Sequence, residues 1–172
     1  ILRPHAENKF SIQNQLDTNV AVLKIFPGIS EKIVRCMLNI VGLKAVVLET
    51  FGAGNAPSDP WFIREIENAL NRGLIIISVT QCAEGRVEMG MYETSIALAK
   101  AGVINGADIT TEAAITKLMY LLGKYDSGEM VIKFLKKSLR LTAIFATKAS
   151  PPAIIRNSPC LNSIWPMPPM KT

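Results

Sequence analysis

The chain has little with which to hold a metal or a redox centre. It contains one histidine, His5, and three cysteines, Cys36, Cys82 and Cys160, spaced too widely for a zinc pattern. Three is an odd number, so no disulfide framework can use them all, and a reducing compartment is expected. No apolar run approaches the roughly 18–20 residues of a membrane span. The opening ILRPHAENKF lacks the apolar core of a signal peptide and begins with Ile rather than Met, which reads as something other than a natural start. Acid is missing from residues 141–172, where Lys148, Arg156 and Lys171 stand alone. The net charge of +5 is therefore concentrated in the tail, and the preceding residues hold 16 bases against 14 acids. That balance is no footprint for a polyanion, so neither nucleic acid nor membrane is expected as a partner.

What is present suits one domain of ordinary size, or one and a half. Of 172 residues, 49% are hydrophobic and 19% charged, enough for a buried core. VAVLKIF (20–26), LKAVVLET (43–50) and LIIISV (74–79) are short β-branched runs, the latter two apolar on both faces as in a buried parallel sheet. GVI (102–104) reads as a short fourth strand. Helical spacing recurs between them. Ser30 caps a helix over 31–39 with Ile33, Val34 and Met37 on one side. Asp59 and Pro60 open a second helix carrying Phe62, Ile63, Ile66, Ala69 and Leu70, and Gly73 stops it. A third is expected over about 90–101. A fourth starts at Thr110 or Thr111 and buries Ile115, Leu118, Met119 and Leu122, and a last one carries Val131, Phe134, Leu135 and Leu139.

Alternating strands and helices predict an α/β fold: a small three-layer domain with a short parallel sheet of about four strands flanked by helices. Residues 1–19 read as an inter-domain linker, 20–140 as the α/β domain, and 141–172 as a disordered or frameshifted tail holding six of the ten prolines.

Ligands of such sheets sit beyond the carboxyl ends of the strands. Two segments lie there. The first is VVLETFGAGNAPSD (46–59), where Gly52 and Gly54 permit a tight turn ending in Asn55. It has a G-x-G but neither the third glycine of a dinucleotide fingerprint nor a Gly-Lys-Ser/Thr, so a nucleotide is not its expected occupant. The second is SVTQCAEGRVEMGMYETS (78–95). Thr80, Gln81, Cys82 and Glu84 offer a hydroxyl, an amide, a thiol and a carboxylate. A zwitterionic amino acid needs that mix, an acceptor for its ammonium and donors for its carboxylate. An ordinary polar loop with a buried, inert Cys82 has the same composition.

LKIFPGIS, ETFGAGNAP, TQCAEGRVEMGMYETS and AGVINGADITTEAAITKLMYLL occur in the order and spacing of the C-terminal domain of L-asparaginases. The chain resembles the cytoplasmic, type I class over roughly residues 15 to 140. The resemblance implies a cytoplasmic amidohydrolase that converts L-asparagine to L-aspartate and ammonia with no cofactor and no metal. It also implies that the threonine nucleophile and its helpers lie in a larger N-terminal domain, in Thr-Gly-Gly-Thr and Gly-Thr-Asp motifs. Neither motif is present, so no catalytic residue is expected here and the chain alone should be inactive.

By the same resemblance, Asn55 completes the substrate site of a neighbouring subunit, and Glu84 matches a glutamate that does so in the family's periplasmic class, both at the substrate's α-amino end. Asn55, Thr80 and Cys82 match an effector site for asparagine. The arginine of that site is replaced by Glu49, which would repel a carboxylate. The implied partners are L-asparagine or L-aspartate, the chain's own N-terminal domain, and further copies in an oligomer. The family continues after SLR with GE, whereas this chain reads SLRLTAIFATKAS. A stand-alone amino-acid-binding or regulatory module without catalysis is the alternative reading.

Overall fold

Parallel strands alternate with helices to build a sheet covered on both faces. The structure, a computed structural model, describes residues 12–90 and 92–149. Along them run β1 (Val20–Lys24), α1 (Glu31–Leu38), β2 (Ala45–Thr50), α2 (Pro60–Asn71), β3 (Ile75–Thr80), α3 (Glu93–Ala101), β4 (Ile104–Asn105), α4 (Thr111–Lys124) and α5 (Gly128–Ala149). The strands pair in chain order, β1-β2-β3-β4, all parallel. Val22, Val47, Ile77 and Ile104 form one row across the sheet, and Leu23, Leu48, Ser78 and Asn105 form the next. Successive rows face opposite sides, so β1, β2 and β3 each serve two cores, while β4 gives Ile104 to one of them.

Because the strands follow chain order, every right-handed crossover returns on the same side. On that side Leu23, Val46, Leu48 and Ile76 pack with Val34 and Leu38 of α1, Phe62 and Ile66 of α2, and Leu98 of α3. On the other, Val47, Ile75, Ile77 and Ile104 pack with Leu118 and Leu121 of α4 and Val131, Leu135 and Leu139 of α5. α4 lies against β1, β2 and β3, and α5 packs on α4. Each fully buried side chain of this size contributes roughly 1.5–3 kcal/mol by leaving water.

Some local expectations are corrected. In α1 the buried residues are Val34 and Leu38, four apart, while Ile33 is 45% exposed and turned away. Ser30 does cap this helix, its Oγ accepting from Ile33 N–H at 3.4 Å. Asp59 sits at the N-cap of α2, but its side chain accepts no capping bond; Phe62 N–H bonds to its backbone carbonyl at 3.0 Å. The fourth strand begins later than GVI because Val103 N–H still bonds back to Leu98 O at 3.0 Å and belongs to the end of α3. In α4, Ala114, Leu118 and Leu121 are buried, whereas Ile115, Met119 and Leu122 are half-buried at the edges of that face.

Of the expected linker, residues 1–11 lie outside the described residues. Residues 12–19 run along α4. Asp17 N–H donates to Met119 O at 3.0 Å, and Gln13 Nε2 donates to Gly123 O at 3.1 Å. Lys44 Nζ reaches Asp17 Oδ2 at 2.7 Å, and this hydrogen bond holds the Asp17 carboxyl below its ordinary value of 3.8. At the other end, α5 continues to Ala149. The change of character after Arg140 therefore does not coincide with a helix end, and residues 150–172 of the expected tail lie outside the described residues.

Candidate functional site

Both sequence segments meet at the carboxyl ends of the strands. After β2 the chain closes a small loop: Phe51 N–H donates to Asn55 O at 2.9 Å and Asn55 N–H to Phe51 O at 2.8 Å. Gly54 is buried inside it with φ of +109°, and a Cβ there would come within 2.9 Å of Val87 Cγ1. Only glycine meets both demands, the left-handed backbone and the close approach. The second segment is laced onto this loop. Thr80 Oγ1 donates to Gly52 O at 2.6 Å, and Glu88 N–H donates to Ala53 O at 2.8 Å.

The four polar groups past β3 prove to have different tasks. The Gln81 amide does not face a ligand. Its Nε2 donates to Ile25 O at 2.7 Å and to Glu49 O at 2.9 Å, while its backbone N–H reaches Thr50 O at 3.0 Å. Gln81 thus staples the ends of β1, β2 and β3, and the expectation that it offers an amide to an amino acid is corrected. The Thr80 hydroxyl, besides donating to Gly52, accepts Cys82 N–H at 3.0 Å. Cys82 is a half-buried free thiol, and Glu84 is exposed.

Thr80 and Cys82 line a cleft of about 370 Å³ with Lys24, Glu49, Asp108, Thr110, Thr111 and Glu112. Glu49 is its fixed point. Its side chain is 13% exposed, its Oε1 accepts from Thr111 Oγ1 at 2.6 Å, and its Oε2 lies 3.4 Å from Lys24 Nζ. Three carboxylates against one ammonium give this cleft a negative lining. Asn55 and Glu84 are not among the residues that line it. A larger hollow of about 570 Å³ opens among Leu38, Asn39, Lys44, Arg72 and Asp126 at the opposite, amino end of the strands, away from both segments.

Asn55 is tied to α3 instead. Its Oδ1 accepts Ala56 N–H at 3.0 Å and the hydroxyl proton of Thr94. Thr94 is held in the first turn of α3, where the buried Ser95 accepts Tyr92 N–H at 3.1 Å and Gly90 N–H at 3.2 Å. Sequence reasoning missed Thr94: its partner lies 39 positions away, and a threonine near a helix start carries no local sign of it. Among the described residues no three His, Cys, Asp or Glu side chains are grouped to hold a metal ion. Nor is any helix there long and apolar enough to cross a membrane.

Comparison with known proteins matches residues 19–135 to the glutaminase/asparaginase C-terminal domain. L-asparaginase 1 of Escherichia coli K12 is 42% identical over 137 residues, covering 80% of this chain and 40% of that protein. The 60 kDa lysophospholipase of Homo sapiens is 38% identical over 150 residues, covering 87% of this chain and 25% of that protein. The crystal structure of L-asparaginase I from Vibrio cholerae superposes with a TM-score of 0.69 at 40% identity, over 76% of this chain and 39% of that one. The chain thus spans less than half the length of these relatives.

Proposed function

Because the chain belongs to the glutaminase/asparaginase family and carries its C-terminal domain, we propose that it serves as the rear portion of a cytoplasmic L-asparaginase. In that role it completes a substrate site whose nucleophile lies elsewhere. The likeness to L-asparaginases across both strand-end turns is the observation that supports this reading. Within the site, Asn55 and Glu84 are the substrate-binding residues. An exposed Glu84 carboxylate is an acceptor suited to an ammonium group. The catalytic threonine, the other domain and further copies of the chain are the partners this reading requires, and the chain by itself is inactive. The effector role attached to Asn55, Thr80 and Cys82 is disfavoured, because Glu49, Asp108 and Glu112 would repel an amino-acid carboxylate in their cleft.

The test is to express the chain together with the coding sequence that precedes Ile1 and to follow ammonia release from L-asparagine. The longer product should release ammonia and the 172-residue chain should not. Asn55→Ala in the longer product should raise KM about tenfold, the effect of losing one hydrogen bond to a charged group. An absent upstream frame, a silent longer product, or hydrolysis of a lysophospholipid in place of asparagine would overturn the reading.

A further inference from the structure

The hydrogen bonds around Asn55 decide which end of its carboxamide faces outward. Ala56 N–H can only donate, so the side-chain atom it meets at 3.0 Å must be the oxygen. The same oxygen meets Thr94 Oγ1, and since a carboxamide oxygen can only accept, the hydroxyl must be the donor. Ala56 N–H also lies 3.4 Å from Thr94 Oγ1, which closes the triangle. Both lone-pair sites of Asn55 Oδ1 are then engaged. Its Nδ2 has no partner among the described residues, and no buried side-chain nitrogen or oxygen there lacks one, so Nδ2 reaches solvent.

We propose that Thr94 is a positioning residue that locks the Asn55 carboxamide with Nδ2 outward, so that the turn binds a carboxylate oxygen of its amino-acid ligand. This rests on the reading of Asn55 as a substrate-binding residue and changes the group it recognises. Bonding an ammonium would need the oxygen that Ala56 and Thr94 already hold. An outward –NH2 carries two donors and matches a carboxylate, a pairing strengthened by the ligand's charge. The ammonium group is left to an acceptor such as Glu84.

The 15N-labelled 172-residue chain provides the test without any other domain. The Asn55 side-chain amide pair is followed by NMR in the wild type, Thr94→Val and Thr94→Ser, with L-aspartate and ethylammonium as separate probes. The wild-type pair should be as ordered as the backbone around it and should shift with aspartate but not with ethylammonium. Thr94→Val should free the amide and weaken the aspartate response about tenfold, the loss expected for one charge-assisted hydrogen bond. Thr94→Ser, which keeps the hydroxyl, should restore both. Should the valine variant lose its dispersed spectrum, Thr94→Ala replaces it. An amide equally ordered without the hydroxyl overturns the proposal, as does a response to ethylammonium alone or no response to aspartate. Failure of the enzyme reading shows separately, as missing ammonia release by the longer product.

Discussion

Gln81 shows how a residue can look functional in sequence and act structurally. As a polar side chain just past a buried strand it belongs to the chemistry of a binding loop. Its nitrogen instead bonds Ile25 O and Glu49 O, 56 and 32 positions away. Gln81→Ala would take the side-chain donor from Ile25 O in a half-buried place and leave Glu49 O with only the Ile25 N–H at 3.2 Å. A loss of about 1–3 kcal/mol is expected, read from the urea midpoint. Thr94 shows the converse, a plain helix-start residue that orients Asn55 across 39 positions. Neither relation has a local signature, because a hydrogen bond between distant positions leaves no periodicity. The turn that holds Asn55 was legible for a different reason: its two glycines demand it, and a strand's carboxyl end is where such sheets bind, while the role of Asn55 itself is implied by the family resemblance.

At the scale of elements, spacing located every helix and strand, while their ends depended on atoms further along the chain. α2 illustrates both. Its apolar positions predict the helix, and its end is a closed motif: Gly73 N–H bonds Leu70 O at 2.9 Å and Leu74 N–H bonds Ala69 O at 3.2 Å. Gly73 takes a φ of +92° there with open space around it. Gly73→Ala should therefore cost only the backbone strain, about 1 kcal/mol in urea unfolding, without disturbing neighbours. Asp59 fails as a side-chain cap although its residue type is ideal, since residue type allows a capping bond and side-chain direction decides whether it forms. In α1, one apolar stripe could include Ile33 or Leu38, and packing against both the sheet and α2 selects Leu38.

The molecule as a whole has two cores divided by one sheet. Val46, Leu48 and Ile76 face α1–α3, and Val47, Ile75 and Ile77 face α4 and α5, so neither core can dissolve while the sheet stays intact. Phe62→Ala on the first face and Leu118→Ala on the second should each lower stability, by about 3–5 and 2–5 kcal/mol respectively. Each variant should still unfold in a single step, with far-UV circular dichroism and tryptophan fluorescence changing together. Separate transitions for the two faces would refute this coupling.

The sequence by itself determined the element types, the parallel α/β class and the two turns that meet at the strand ends. These follow from short-range rules: the period of apolar residues, the β-branched runs, and glycine where the backbone must turn. The tertiary structure alone decided which polar groups near those turns remain available. Gln81 and the oxygen of Asn55 are engaged internally, while Asn55 Nδ2, Glu84 and the carboxylates around Glu49 face outward. The reason is physical: each donor and acceptor has a fixed capacity, and partners brought together by the crossovers fill it from positions that no local pattern connects.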